Sequence, residues 1–412
     1  MLAGFRPSNH GPRGTDERRP GTVRPIVPPM LRFLTAGESH GPGLVTVVEG
    51  LPSGLEVSVE GLAAELARRR LGFGRGPRMR LEKDTIEVLA GIRFGLTLGS
   101  PVAVIVRNTE WERWKDEMAI EAGTTGRPMT APRPGHADLA GMLKYDTHDA
   151  RDILERASAR ETAARTVAGF LAKSLLGTVG VGVVSHVVAI GGVAVPAGIN
   201  PGPTDQEVVD ESPVRAFDAA AGEAMVAAIE SAKAERDTLG GVVEVLAYGV
   251  PPGVGSHVHY DRRLDAKLAG ALMSIQGIKG VEIGDGFTVS AGPGSAAHDE
   301  IYHAGDEFCR HTDRAGGIEG GMSIGSPVRV RAAMKPISTL MRPLDTIDVV
   351  TKEPAKAFRE RSDVCAVPAA AVVAEEMVAI VIVQEMQRKF GGDTVADFRA
   401  SVEAYQARLE AF

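Results

Sequence analysis

The sequence predicts a large α+β protein, on three observations. Strand-like runs are spaced irregularly and do not alternate strictly with helices, which argues against a doubly wound sheet. Several alanine- and leucine-rich stretches repeat apolar residues at three- and four-residue intervals, the stripe of helices that dock on a core. At 412 residues, with 44% hydrophobic and 24% charged content, the chain can bury a large core of its own.

Residues 1–29 are rich in Pro, Gly and Arg and lack periodicity, so they are expected to be a disordered N-terminal extension. Without an apolar core segment they fit neither a signal nor a transit peptide. Met30 then opens a single domain expected to run over 30–412. Arg32–Thr35 and Leu44–Glu49 read as strands flanking a turn that carries Glu38, Ser39 and His40. Val59–Arg70 reads as a helix that ends on Arg69 and Arg70 and runs into a glycine-rich basic loop with Arg75, Arg78 and Arg80. Pro101–Arg107 is β-branched and strand-like. Pro134 and Gly135 break the chain before His136, which places that imidazole on a turn. From Asp149 to Leu171 the spacing predicts one continuous helix, with Arg156 and Arg160 one turn apart. Farther on, Val179–Ile190, Gly240–Val250, Phe287–Ser290 and Val328–Ala333 read as strands. Asp218–Glu235, Arg262–Ile278, Ala369–Arg388 and Ala396–Leu409 read as helices.

Composition narrows the function. A formal charge of −7 does not advertise nucleic-acid binding. Cys309 and Cys365 are the only cysteines, so neither a disulfide framework nor a thiolate zinc site is indicated, no metal site is expected, and a reducing, cytoplasmic setting fits. The most apolar run, Ala369–Val383, is interrupted by Glu375 and Glu376 and is not read as a membrane span.

The chemistry concentrates in basic and glycine-rich stretches. Arginines on glycine-rich backbone in an acidic protein suit a small polyanion, phosphate or carboxylate. Arg156, Arg160 and Arg165 beside Glu155 and Glu161 also fit a salt-bridged solvated face. Gln276 and Gly277 stand at a helix end, Gly320 in a glycine-rich loop. Lys335 with Ser338 and Thr339 offers a point charge and hydroxyls suited to a phosphate tail. Asp363 is a base candidate two residues from Arg361. Two patterns are set aside. Gly321 to Gly325 fits GxSxG but lacks the strand before and helix after that a nucleophile elbow needs, and His257 with His259 reads as a polar edge strand without a third ligand.

Taken together, GESHGPGLVTVVEGLP, RRRLGFGRG, RPGHAD, LERASARETAARTVAGFL, DTLGGVVE, IKGVEIGDGF, TDRAGGIEGG, AMKPIST and RSDVCAVPAA resemble the chorismate synthase family, in order from Met30 to about Gly392. The resemblance implies a β-α-β sandwich with helices packed between antiparallel sheets, assembled as a homotetramer. It implies trans-1,4-elimination of phosphate from 5-enolpyruvylshikimate 3-phosphate to give chorismate, with reduced FMN required although the reaction is redox-neutral. By motif, His40 would protonate the leaving phosphate, His136 the reduced flavin, and Asp363 would help relay the substrate proton. Ser39, Arg69, Arg75, Arg133 and Arg160 would hold the substrate. Arg156, Ala157, Ser158, Gln276, Gly277, Gly320, Lys335, Pro336, Ile337, Ser338, Thr339 and Arg361 match flavin-contacting positions. Asp313 departs from the family, whose loop often has asparagine there. NADPH as the flavin's reductant, or an external reductant, both stay open. The rival readings are another FMN-binding oxidoreductase and a non-catalytic anion-binding protein.

Overall fold

The computed structural model describes residues 30–76, 85–305, 307–360 and 363–412; the expectations for residues 1–29, Arg78, Arg80 and Arg361 lie outside them. Two antiparallel sheets enclose a helical layer, the α+β class that the strand and helix pattern predicts and the sandwich that the family resemblance implies.

The first sheet consists of β1 (Arg32–Ala36), β2 (Gly43–Glu49), β3 (Thr85–Ala90) and β4 (Val102–Arg107), in the order β1-β2-β4-β3. Strict alternation sets its inner face. Leu44 and Val48 of β2 and Val102, Val104 and Val106 of β4 are buried while their neighbours are not, so one face packs on helices. The second sheet holds β5 (Gly182–Ile190), β6 (Val193–Ala194), β7 (Gly241–Tyr248), β8 (Ile278–Ile283) and β9 (Val328–Met334), ordered β8-β9-β7-β5-β6. Its central strands are buried on both faces. On the outer face, paired positions align buried His186 and Glu244 with half-buried Arg331 into a polar ladder, with His186 Nε2 3.1 Å and Arg331 Nε 2.5 Å from the Glu244 carboxylate.

Between the sheets lie α1 (Val59–Arg70), α4 (Thr162–Gly177) and α7 (Val367–Phe390). Ser58 caps α1 by accepting the Gly61 N–H at 3.0 Å. Helix α4 packs on β2 and α7, and α7 packs on β5 and β7. By length and composition alone α7 could cross a membrane, but it is almost entirely buried and is the core helix of the fold. The remaining helices are α2 (Asp138–Tyr145), α3 (Arg151–Ala157), α5 (Ala219–Ala234), α6 (Leu264–Met273) and α8 (Val395–Glu410), with a few shorter turns.

Four local expectations fail. The stretch from Asp149 to Leu171 is not one helix: α3 ends at Ala157, Ser158 is extended (φ −64°, ψ 139°), and a 3-10 turn over Ala159–Glu161 leads into α4. Ser158 Oγ accepts the Arg160 N–H at 3.3 Å, offering the backbone a local alternative to the helix. Phe287–Ser290 belongs to a short helix, and His257 to His259 lies outside any strand. The helix expected over Arg262–Ile278 stops at Met273, and β8 begins at Ile278. Ser323 of the GxSxG match is buried in a hairpin, donating to Pro251 O at 2.6 Å and accepting from Val254 N at 2.9 Å, which makes it a structural hydroxyl.

Candidate active site

The β1–β2 turn presents Ser39 and His40. Gly37 opens it with φ +100°, where any side chain would run into the Gly43 carbonyl. Both residues are buried, and Ser39 N donates to Glu155 O at 3.0 Å. The carboxylate of Glu155, itself buried, takes His40 twice: Oε2 accepts the backbone N–H at 2.7 Å and Oε1 lies 2.7 Å from ring Nδ1. Arg151 adds a contact to Oε1 at 3.0 Å and reaches Glu360 at 3.0 Å. Trp114 packs against the His40 ring, with centroids 3.9 Å apart and the planes tilted by 39°. Burial pushes the Glu155 carboxyl up, but His40 and Arg151 outweigh it and hold the group below the usual range.

His136 repeats the arrangement. Its Nδ1 lies 2.5 Å from Asp138 Oδ1, and Arg133 donates to the same carboxylate from Nε at 2.8 Å and from its backbone N–H at 3.1 Å. Arg133 is fixed further by Thr339 Oγ1 at 2.9 Å and by stacking on Phe358 at 4.5 Å. Burial raises the Asp138 carboxyl, and the bonds from His136 and Arg133 overcome this and bring it down to about 2.

The glycine-rich loop after α1 docks on the start of α7. Gly74 (φ +87°) accepts the Val364 N–H at 2.8 Å, and a side chain there would press on Ile229 and Cys365. This brings Arg75 Nη1 to 2.7 Å from Asp363 Oδ2, while Asp363 Oδ1 accepts the Gly76 N–H at 2.6 Å.

These pieces converge on one cavity of about 460 Å³. Ser39, His40, Arg69, Arg75, Arg133, His136, Ala157, Ser158, Arg160, Gln276, Gly277, the run Lys335, Pro336, Ile337, Ser338 and Thr339, and Asp363 all line it. Among the described lining residues, the cations Arg69, Arg75, Arg133, Arg160 and Lys335 outnumber the carboxylates Glu360 and Asp363. Such a wall favours a multiply charged anion.

Two expected cofactor residues are elsewhere. The break at Ser158 turns Arg156 outward, where it donates to Gly37 O at 3.0 Å and Thr35 Oγ1 at 2.8 Å in a neighbouring groove, so it tethers the β1–β2 turn and does not line the cavity. Gly320 lies in the Ile318–Ser323 hairpin, also off the cavity. Sequence reasoning missed Glu155 and Asp138 as partners of the histidines. Asp138 was visible as the last residue of RPGHAD; Glu155, 3% exposed, gave no signal beyond its place among helix charges.

The wall fits a flavin mononucleotide. Gln276 Oε1 is buried with no partner among the described residues, an acceptor that asks for a ligand N–H. Gly277 (φ +84°) keeps the adjacent backbone bare, and Lys335 with Ser338 and Thr339 supplies charge and hydroxyls for a phosphate. Burial and the nearby Lys279 lower the Lys335 ammonium. Elsewhere, Glu65, Glu375 and Glu376 converge closely enough to hold a cation, and they hold Lys173, whose Nζ lies 2.9, 2.6 and 3.2 Å from them.

The family model described as chorismate synthase matches residues 31–387. The chorismate synthase of Acidothermus cellulolyticus is 59% identical over 385 residues, covering 91% of this chain and 98% of the relative. That of Salinispora tropica is 58% identical over the same shares. A solved structure titled as the crystal structure of chorismate synthase superposes with a TM-score of 0.76 at 39% identity, covering 93% of this chain and 99% of the other. The protein is therefore an enzyme of the carbon-oxygen lyase class that acts on phosphates. It belongs to the chorismate synthase family.

Proposed function

We propose that this chain converts 5-enolpyruvylshikimate 3-phosphate into chorismate by trans-1,4-elimination, with reduced FMN required and not consumed. The observation that carries the reading is the convergence of five cations and two carboxylate-backed histidines on one cavity. The substrate bears two carboxylates and a phosphate, and guanidinium forks are suited to fixing such groups. Arg69, Arg75, Arg133, Arg160 and Ser39 hold it. His40 gives a proton to the departing phosphate; a bound dianionic phosphate favours the imidazolium, so the substrate helps charge its own acid. His136, braced by Asp138, keeps a proton on the cofactor side. Asp363 helps carry away the ring proton that the elimination releases, so phosphate and one proton leave together.

Ala157, Ser158, Gln276, Gly277 and Lys335 to Thr339 would hold the flavin. Bound in its reduced form, it would supply electron density to the cleaving C–O bond. The reading includes a homotetramer in the cytoplasm, and sedimentation of the purified chain tests the assembly.

The test is anaerobic. Protein, reduced FMN and many equivalents of substrate are mixed, and phosphate release is followed with the flavin absorbance. Many phosphates per flavin, with the flavin reduced at the end, is the expected result. Flavin oxidised one-for-one with product would make this an oxidoreductase. Replacing dithionite by NADPH then shows whether the chain reduces its own flavin.

A further inference from the structure

The structure assigns Glu155 as the positioning residue for His40, an inference that rests on the proposed role of His40 as proton donor. A proton donor must present one ring nitrogen at a fixed point, since catalysis by proton transfer is steep in distance and orientation. His40 lies on a turn, where a ring would ordinarily sample several rotamers. Here one carboxylate fixes backbone and ring together, through Oε2 to His40 N and Oε1 to Nδ1, each at 2.7 Å. Glu155 is a buried member of α3, so this anchor comes from a rigid element.

Two neighbours reinforce it. Arg151, one turn earlier in α3, donates to Glu155 Oε1 at 3.0 Å and lies over Trp114 at 5.0 Å, and the Trp114 ring packs, tilted by 39°, against His40 with centroids 3.9 Å apart. The imidazole is thus gripped at its edge by a carboxylate and on its face by an indole that the same arginine holds. With Nδ1–H directed at Glu155, the tautomer is set, and Nε2 is the nitrogen that exchanges a proton with the substrate.

An amide cannot replace this carboxylate. The Oε2 site faces the His40 N–H, and the Oε1 site faces Nδ1 and Arg151, all donors in this tautomer. In Glu155→Gln the NH₂ group must confront one of them.

The experiment is a double-mutant cycle on the full chain with reduced FMN, comparing His40→Ala, Glu155→Gln and the pair. We expect Glu155→Gln to lower kcat at least about 10-fold with substrate binding nearly unchanged, and to cost nothing further in the His40→Ala background. Wild-type kcat in Glu155→Gln, or multiplied losses in the pair, would overturn the assignment while leaving His40 as the acid. Full activity of His40→Ala would instead remove the reading beneath it. Should the glutamine variant not fold, Glu155→Asp enters the same cycle, keeping the charge but withdrawing it by one methylene; wild-type kcat there overturns the assignment equally.

Discussion

Asp138 lies wholly buried against His136, its Oδ1 2.5 Å from the imidazole Nδ1. Its carboxyl titrates at about 2 in the fold against an ordinary 3.8, so its contribution to stability is present above the ordinary value and is lost as pH falls through about 2. That depression corresponds to about 2 kcal/mol. Asp138→Asn should therefore unfold at lower denaturant at pH 7, with the gap to wild type narrowing as pH drops below 4. Urea titrations across this range check it; a constant gap would assign the loss to packing.

If His40 and His136 act as proton donors, replacing either with alanine should lower turnover by roughly 10² or more while substrate still binds. Asp363→Asn should also slow turnover at saturating flavin, because the Arg75 pair and the Gly76 N–H both lean on its charge. Weakened binding at undiminished turnover would reassign these residues to recognition. Rapid-mixing kinetics beside equilibrium titration separates the cases.

The fold was legible where local chemistry and burial agree. Helix α1 lies where the apolar spacing put it, with a serine cap before it and three arginines at its end. The strand faces followed from alternation in β2 and β4. What could not be read were partners brought together by tertiary contact. Glu155 meets His40 across 115 residues of sequence, so charges that could as well have formed a solvated face turn out to hold the site together. The break at Ser158 was hidden for a similar reason. The apolar stripe runs through it, and only its serine–backbone bond and the Ser39 hydroxyl at 3.1 Å reveal why the helix stops. That break is what separates Arg156, outside, from Arg160, at the cavity.

Gly169 marks the crossing of α4 and α7. A Cβ there would fall 2.8 Å from the Glu376 Cα and closer still to its side chain, so backbone as well as carboxylate would have to move. Gly169→Ala should destabilise by about 3 kcal/mol, the upper range of overpacking. Gly270, exposed in α6 with nothing within 4 Å of the added methyl, supplies the contrast, and Gly270→Ala should stabilise by up to about 1 kcal/mol. Thermal melts of the two variants should move in opposite directions.

Glu376 shares its buried site with Glu65, Glu375 and Lys173. Burial, with the neighbouring carboxylates, pushes its carboxyl well above 4.5 despite the lysine. A raised carboxyl lowers stability as pH climbs from its unfolded value toward its folded one. Glu376→Gln mimics the protonated form, so it should match wild type near pH 4 and equal or exceed it at pH 8. Lys173→Met, which strands the carboxylates, should cost roughly 3 to 5 kcal/mol. A glutamine variant weaker than wild type at pH 8 would mean that the charged form is the one the core needs.

Asp313 departs from the asparagine that the resemblance implies at this loop position, and its surroundings disfavour the charge. Its Oδ1 accepts the Gly317 N–H at 2.9 Å, which an amide oxygen would do equally well. Arg329 lies 3.7 Å from Oδ2 but is already committed to Asp285 at 2.8 Å. Burial first, then the nearby Asp299 and Asp285, carry the Asp313 carboxyl up to about 6, against the pull of Arg329 and Gly317. Since the folded value exceeds the unfolded 3.8, this residue lowers stability as pH rises from about 4 to about 6, and the loss persists above that. Asp313→Asn should remove it. With its side chain about one-third exposed, solvent screening cuts the expected gain at pH 8 to about 1 to 2 kcal/mol, and near pH 4 the two proteins should be equally stable. Denaturant unfolding at both pH values checks this, and an asparagine variant less stable at pH 8 would show that the Arg329 pairing outweighs the repulsion.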